Sequence, residues 1–239
     1  MGINVVNGWV QIDDSHNKLV NTTIADNPTF GTIEGLDVHY IFSRNKTHNK
    51  DGDGNPLIYA MKSIKNFKIV PMYRTKVIAR ATTITHSICE PLAFDAIVLV
   101  PSSNGFAREI AEIAAAATGA PIVEPDFIRK KTLREMYEQY SDKPSTLTNS
   151  EEKHYNQQLS AWKSFPGKTF SMKEVPPQIR HLFTPFTISH VCDDVTEKNI
   201  LLVDDILSSG SSILSAANVC RTSGATSVTG LCFLGALAS

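Results

Sequence analysis

Two stretches of this chain are uninterrupted apolar runs of strand length, and each leads through a short turn into a helical pattern. Asp95-Ala96-Ile97-Val98-Leu99-Val100 is followed by Pro101–Gly105, a helix expected over Phe106–Thr118, a stop at Gly119 and a new strand near Pro121-Ile122-Val123. Asn199–Val203 is followed by a loop over Asp204–Ser211, a helix over Ser212–Ser223, a stop at Gly224 and a strand over Ser227–Leu234. A strand with no polar alternation has both faces buried, as in a parallel sheet covered by helices. Strand, tight turn, helix, glycine, strand is the pattern of βαβ units. The expected fold class is therefore α/β: an open, mostly parallel sheet flanked by helices.

The rest of the chain elaborates this unit. From Met1 to Ile41 short apolar runs alternate with turn residues, as in Trp9-Val10-Gln11-Ile12 before Asp13-Asp14, which predicts a β-rich N-terminal elaboration over residues 1–56. The α/β domain is expected over 57–239, opening with a short helix at Leu57–Lys65 and a short strand at Phe67–Val70. Lys76–Ser87 fits a helix only in part, because its β-branched residues oppose one. A polar insertion of about 130–177 holds a helical Thr132–Tyr140, a loop Ser141–Ser150 and an amphipathic Glu151–Phe165, with Thr148 and Glu151 spaced as a capping box. Its length and polarity point to a lid.

Composition excludes several classes. With 239 residues, 42% hydrophobic and 20% charged, the chain is long enough to bury a core without staples and is not disordered or collagenous. Twenty-three Lys+Arg against 24 Asp+Glu leave a net charge of −1, so no global attraction to nucleic acid or anionic lipid is implied. Cys89, Cys192, Cys220 and Cys232 are scattered, without metal-ligand spacing. Asp51-Gly52-Asp53-Gly54-Asn55 has the composition of a calcium loop, but Pro56 and Lys62 occupy the positions of its glycine and bidentate glutamate. The N-terminus has no basic-then-apolar leader, and Ala111–Ala117 is too short to span a bilayer. A cytoplasmic protein is the expectation.

The chemistry concentrates in Ile200-Leu201-Leu202-Val203-Asp204-Asp205-Ile206-Leu207-Ser208-Ser209-Gly210-Ser211-Ser212. A buried strand ends in two carboxylates and turns through serines and a glycine into a helix. Ligands of open α/β sheets bind at the carboxyl ends of the strands, and a helix N-terminus offers unpaired N–H groups to an anion. Such a loop suits a phosphate, and the acids suit sugar hydroxyls or a metal; a ribose 5-phosphate has both features. The serines by themselves also fit a helix cap, and a P-loop is excluded by the missing lysine.

This segment resembles the signature of the type I phosphoribosyltransferases, and the order Gly54–Lys62, Phe94–Gly105, signature is similar to the layout of ComF-type members. The zinc ribbon often found at the start of ComF-type proteins is absent here. The resemblance implies transfer of ribose 5-phosphate from phosphoribosyl pyrophosphate (PRPP) to a nucleobase-like acceptor, with release of pyrophosphate and dependence on Mg²⁺. Asp204 and Asp205 would contact the ribose hydroxyls and meet the metal indirectly or through substrate. Ser208, Ser209, Gly210, Ser211 and Ser212 would hold the 5-phosphate, and Ser102, Ser103, Asn104 and Gly105 the pyrophosphate. The basic run Arg129, Lys130, Lys131, with Arg134, would close over pyrophosphate or else form a solvated face; Arg108 is a further candidate. Relatives acting on 6-oxopurines carry Asp where this chain has Ser208, so the acceptor is open. The layout also allows a non-catalytic module that senses PRPP or a nucleotide, or acts in DNA uptake or defence. The implied partners are PRPP, an acceptor base and, at most, a second copy of the chain.

Overall fold

The computed structural model describes residues 1–45, 54–102, 104–123, 127–189 and 193–236. The strands and helices follow in chain order. Strands β1 (Gly2–Val6) and β2 (Trp9–Asp13) form a hairpin, and β3 (Val20–Asn21), β4 (Thr29–Ile33) and β5 (Leu36–Arg44) follow. Next come α1 (Asn55–Met61), β6 (Lys68–Ile69), α2 (Pro71–Cys89), β7 (Ala96–Leu99) and α3 (Phe106–Thr118). The inserted region holds β8 (Ile128–Lys130), α4 (Leu133–Tyr140), α5 (Asn149–Ser164) and β9 (Phe186–Ile188). β10 (Asn199–Leu207), α6 (Ser211–Thr222) and β11 (Ser227–Gly235) close the chain.

The molecule is a mixed α/β structure whose central sheet runs β7-β10-β11-β5, all parallel. β3 and β4 pair antiparallel with β5, and the stretch expected as a strand at 121–123 contributes a single parallel bridge, Ile97 to Ile122. Period-two alternation sends successive β10 side chains to opposite faces. Leu201 and Val203 pack with Ile84, Ile110 and Ala114 beneath α2 and α3, whereas Ile200 and Leu202 pack with Ile213, Ala216 and Cys220 of α6. Burial on both faces explains why β10 reads as an unbroken apolar run.

The β-rich N-terminal part is built into the central sheet, because β5 pairs along most of β11 and covers what would otherwise be an open parallel edge. Two expectations need correction. β10 does not stop at Val203: β11 continues beside it, pairing Asp204 with Cys232 and Leu207 with Gly235, so the two acids sit in the strand rather than in a loop. Helix α2 is also longer than its β-branched content suggested. Pro71 starts it, the hydroxyls of Thr75, Thr82 and Thr83 donate to carbonyls four residues back, and Val77, Ala81, Ile84 and Ile88 form its buried stripe.

The inserted region is more than a polar lid. Met136, Tyr155, Trp162, Phe170 and Phe183 converge into a third apolar cluster, with Trp162 edge-on to Phe183 at 4.9 Å. The expected box at Thr148 and Glu151 caps α5, and a second one at Thr132 and Glu135 caps α4. Among the described residues no helix is long and apolar enough to cross a membrane.

Candidate functional site

The order of strands locates a ligand edge before any side chain is considered. From β7 the chain crosses through α3 to one side of the sheet, and from β10 it crosses through α6 to the other side. Adjacent parallel strands with opposite crossovers leave a crevice between their carboxyl ends. A cavity of about 380 Å³ opens there, bounded by Val100, Pro101 and Ser102 after β7 and by Asp204 through Gly210 at the end of β10 and in the turn that follows. Helix α1 and the inserted helical region supply its other walls.

Asp204 and Asp205 lie at the cavity floor, both buried. The backbone N–H of Asp205 donates to Asp204 Oδ1 at 2.8 Å. Burial, with the neighbouring Asp205 charge, pushes the Asp204 carboxyl up to about 7, so it carries a proton for much of the time at neutral pH. Asp205 Oδ2 receives Lys62 Nζ in an ion pair and Ser102 Oγ at 3.4 Å. Asp204 Oδ2 and Asp205 Oδ1 have no hydrogen-bond donor among the described residues, which leaves each acid one oxygen for a ligand hydroxyl.

The turn after β10 leaves the start of α6 open toward the cavity. Gly210 has φ +80°, which places a left-handed residue at the start of α6, and a Cβ there would meet Ile33 at 3.3 Å. No side chain caps α6, so its first-turn N–H groups remain available. Ser208, Ser209, Gly210 and Ser212 line the cavity; Ser211 does not, and its Oγ lies 3.1 Å from that of Ser209.

The proposed pyrophosphate loop is arranged differently. Ser102 faces the cavity, and Ser103 lies outside the described residues, as do Asp51 to Asp53. Asn104 turns inward: its Oδ1 accepts from the Phe106 N–H at 3.0 Å and its Nδ2 donates to the Lys62 carbonyl at 3.3 Å. Asn104 thus satisfies part of the α3 terminus that the sequence suggested would hold an anion, and ties that turn to α1. Gly105 has φ −71° and needs no glycine.

The basic run divides. Lys130 faces the cavity, Arg129 makes a two-pronged ion pair with Glu135 at 2.5 and 2.8 Å, and Lys131 is buried elsewhere. The Arg129 guanidinium holds Glu135 down at about 2. Arg134 and Arg108 pair with Glu138 and Glu112 on the surface, away from the cavity. The cations that sequence reasoning missed are Arg44 from β5, Lys62 and Lys65 after α1, and Lys173 and Arg180 from the inserted region. Among the described residues no carboxylate pairs with Lys65, Lys130, Lys173 or Arg180, whereas Arg74, Arg80, Arg129, Lys143 and Lys168 each have one. Lys62 and Lys65 lie in the short helix expected at Leu57–Lys65 and Lys173 in the inserted region, but none of the five was read as a site residue, and they meet through folding alone.

No protein-family model matches the chain, and no curated protein matches it in sequence.

Proposed function

We propose that the chain binds PRPP in this crevice and transfers its ribose 5-phosphate to a nucleobase-like acceptor, on a phosphoribosyltransferase-like α/β arrangement. The observation that carries the reading is the coincidence, at one sheet crevice, of an uncapped helix N-terminus behind Ser208–Ser212, an acid pair with free oxygens, and unpaired cations. The 5-phosphate sits on the α6 turn, the ribose hydroxyls face Asp204 Oδ2 and Asp205 Oδ1, and the pyrophosphate lies toward Ser102, Lys62 and Lys65. Departure of pyrophosphate puts positive charge on the ribose ring and negative charge on the leaving group; the acids and lysines stand where each develops.

Magnesium fits this site as a companion of the substrate. Among the described residues no three His, Cys, Asp or Glu side chains gather to hold a metal, and Asp205 is already engaged by Lys62. When bound, the ion would neutralise the pyrophosphate oxygens; the chain's part is to orient the ribose and exclude water.

Calorimetry with PRPP and Mg²⁺, followed by pyrophosphate release across a panel of nucleobases, tests the reading. The expected result is saturable binding and release with at least one base, reduced about 100-fold or more in the Asp204→Asn, Asp205→Asn double variant. Unaltered PRPP turnover in that variant refutes the site, and binding without release for every base refutes the transfer.

A further inference from the structure

A second cavity, of about 640 Å³, adjoins the first across Phe186 and lies between α6 and the root of the inserted region. One wall is Ser215, Asn218 and Thr222 of α6; the other is Thr184, Thr187 and Lys131. Among the described residues no carboxylate lines it. Lys131 is only 8% exposed, and lysine is almost never that buried without a charged partner. Its ammonium donates to three neutral oxygens instead: Gln139 Oε1 at 2.6 Å, the Thr184 carbonyl at 2.8 Å and Thr184 Oγ1 at 3.1 Å. The nearby acid, Glu135, is neutralised by Arg129, so the group of Arg129, Lys131 and Glu135 carries one net positive charge. Burial accordingly lowers the Lys131 pKa.

The lysine is held in place from both sides. Its backbone N–H donates to the Pro185 carbonyl at 2.9 Å and its carbonyl accepts from the Phe170 N–H at 2.8 Å. Successive side chains of an extended segment point in opposite directions, and so Lys130 reaches the first cavity while Lys131 reaches the second. The basic run stops at Thr132, which caps α4. The run therefore serves the root of the inserted region, with one charge left uncompensated in a hollow rich in hydroxyl groups.

We propose that this cavity is a binding site for a small organic anion, whose phosphate or carboxylate group takes the place of the Gln139 amide oxygen on the Lys131 ammonium and whose hydroxyl-bearing body lies along Ser215, Asn218 and Thr222. Its volume falls within the range of small-molecule pockets, about 300–1,000 Å³. The occupant bridges α6, which carries the phosphate turn at its other end, and the strand that carries Lys130. The site stands on its own residues and does not depend on the PRPP reading.

Uridine 5′-monophosphate, citrate and inorganic phosphate serve as probes, with backbone amide chemical shifts of residues 184–188 and 215–224 followed in the full chain. We expect saturable shifts in those segments with the nucleotide, with citrate or with both, the responding probe showing which oxyanion is preferred. Lys131→Met, which keeps the length of the side chain, and Asn218→Asp, which places a carboxylate in the cavity at nearly constant shape, should each weaken binding about tenfold or more. If Lys131→Met does not fold, Asn218→Asp decides alone. Absence of saturable shifts with every probe, or equal affinity in the folded variants, overturns the proposal. Shifts confined to residues 205–212 would report the first cavity and overturn this one as well.

Discussion

Replacing Asp204 by Asn should make the protein more stable above neutral pH while impairing the crevice. An aspartate in the unfolded chain titrates near 3.8, whereas burial beside Asp205 moves Asp204 up to about 7. Between those values the folded state holds a proton that the unfolded chain has released. More protons bound in the folded state means that stability falls as pH rises through this window, then levels off above it. At about 1.36 kcal/mol per pH unit over roughly three units, the ceiling is about 4 kcal/mol. Asparagine removes the penalty because it cannot ionise, and its Oδ1 still accepts from the Asp205 N–H. The expected gain at pH 8 is about 2–4 kcal/mol, or roughly 4–16 °C in Tm for a chain of this size. Thermal and urea unfolding of both proteins at pH 4, 6 and 8 measures it. The curves should meet near pH 4 and diverge upward. Parallel curves, or a less stable variant at pH 8, would show that Asp204 is not a strained buried acid. The same substitution should weaken PRPP binding, so that stability and ligand affinity move in opposite directions.

Two further outcomes follow from the packing. Gly210→Ala forces a side chain into a left-handed backbone and against Ile33, and should cost about 1–2 kcal/mol, read as a lower urea midpoint together with weaker PRPP binding. Trp162→Ala empties the middle of the third apolar cluster, a loss of about 3–5 kcal/mol borne by the inserted region. Limited proteolysis should then cut within 141–148 faster than in the parent, and an unchanged cleavage rate would mean that the cluster does not hold the region closed.

The two apolar strands with the helices that follow them, the glycine turn before α6 and the acid pair were legible in the sequence because each is local. An apolar run, a glycine at a helix start and adjacent carboxylates all occur within a dozen residues, and backbone sterics with strand periodicity decide their form wherever they sit. The short helix expected at Leu57–Lys65 forms over Asn55–Met61, because Pro56 fits its first turn rather than the preceding loop. The capping box at Thr148 was equally readable, since it depends on a spacing of three.

What only the tertiary structure decided depends on distant partners. Whether β10 ends at Val203 or Leu207 rests on how far β11 runs beside it, and whether β5 belongs to the central sheet rests on the edge that β11 leaves open. The aromatic residues of the insertion are diluted by polar sequence, so their cluster appears only when Tyr155, Trp162, Phe170 and Phe183 are brought together. The basic run looked like one feature, yet Arg129, Lys130 and Lys131 go to an ion pair, one cavity and another. Lys62, Lys65, Lys173 and Arg180 line one cavity although more than a hundred residues separate the first pair from the second. Local sequence specifies backbone shape; which charges meet, and which remain unpaired, is settled by the packing of elements that the chain places far apart.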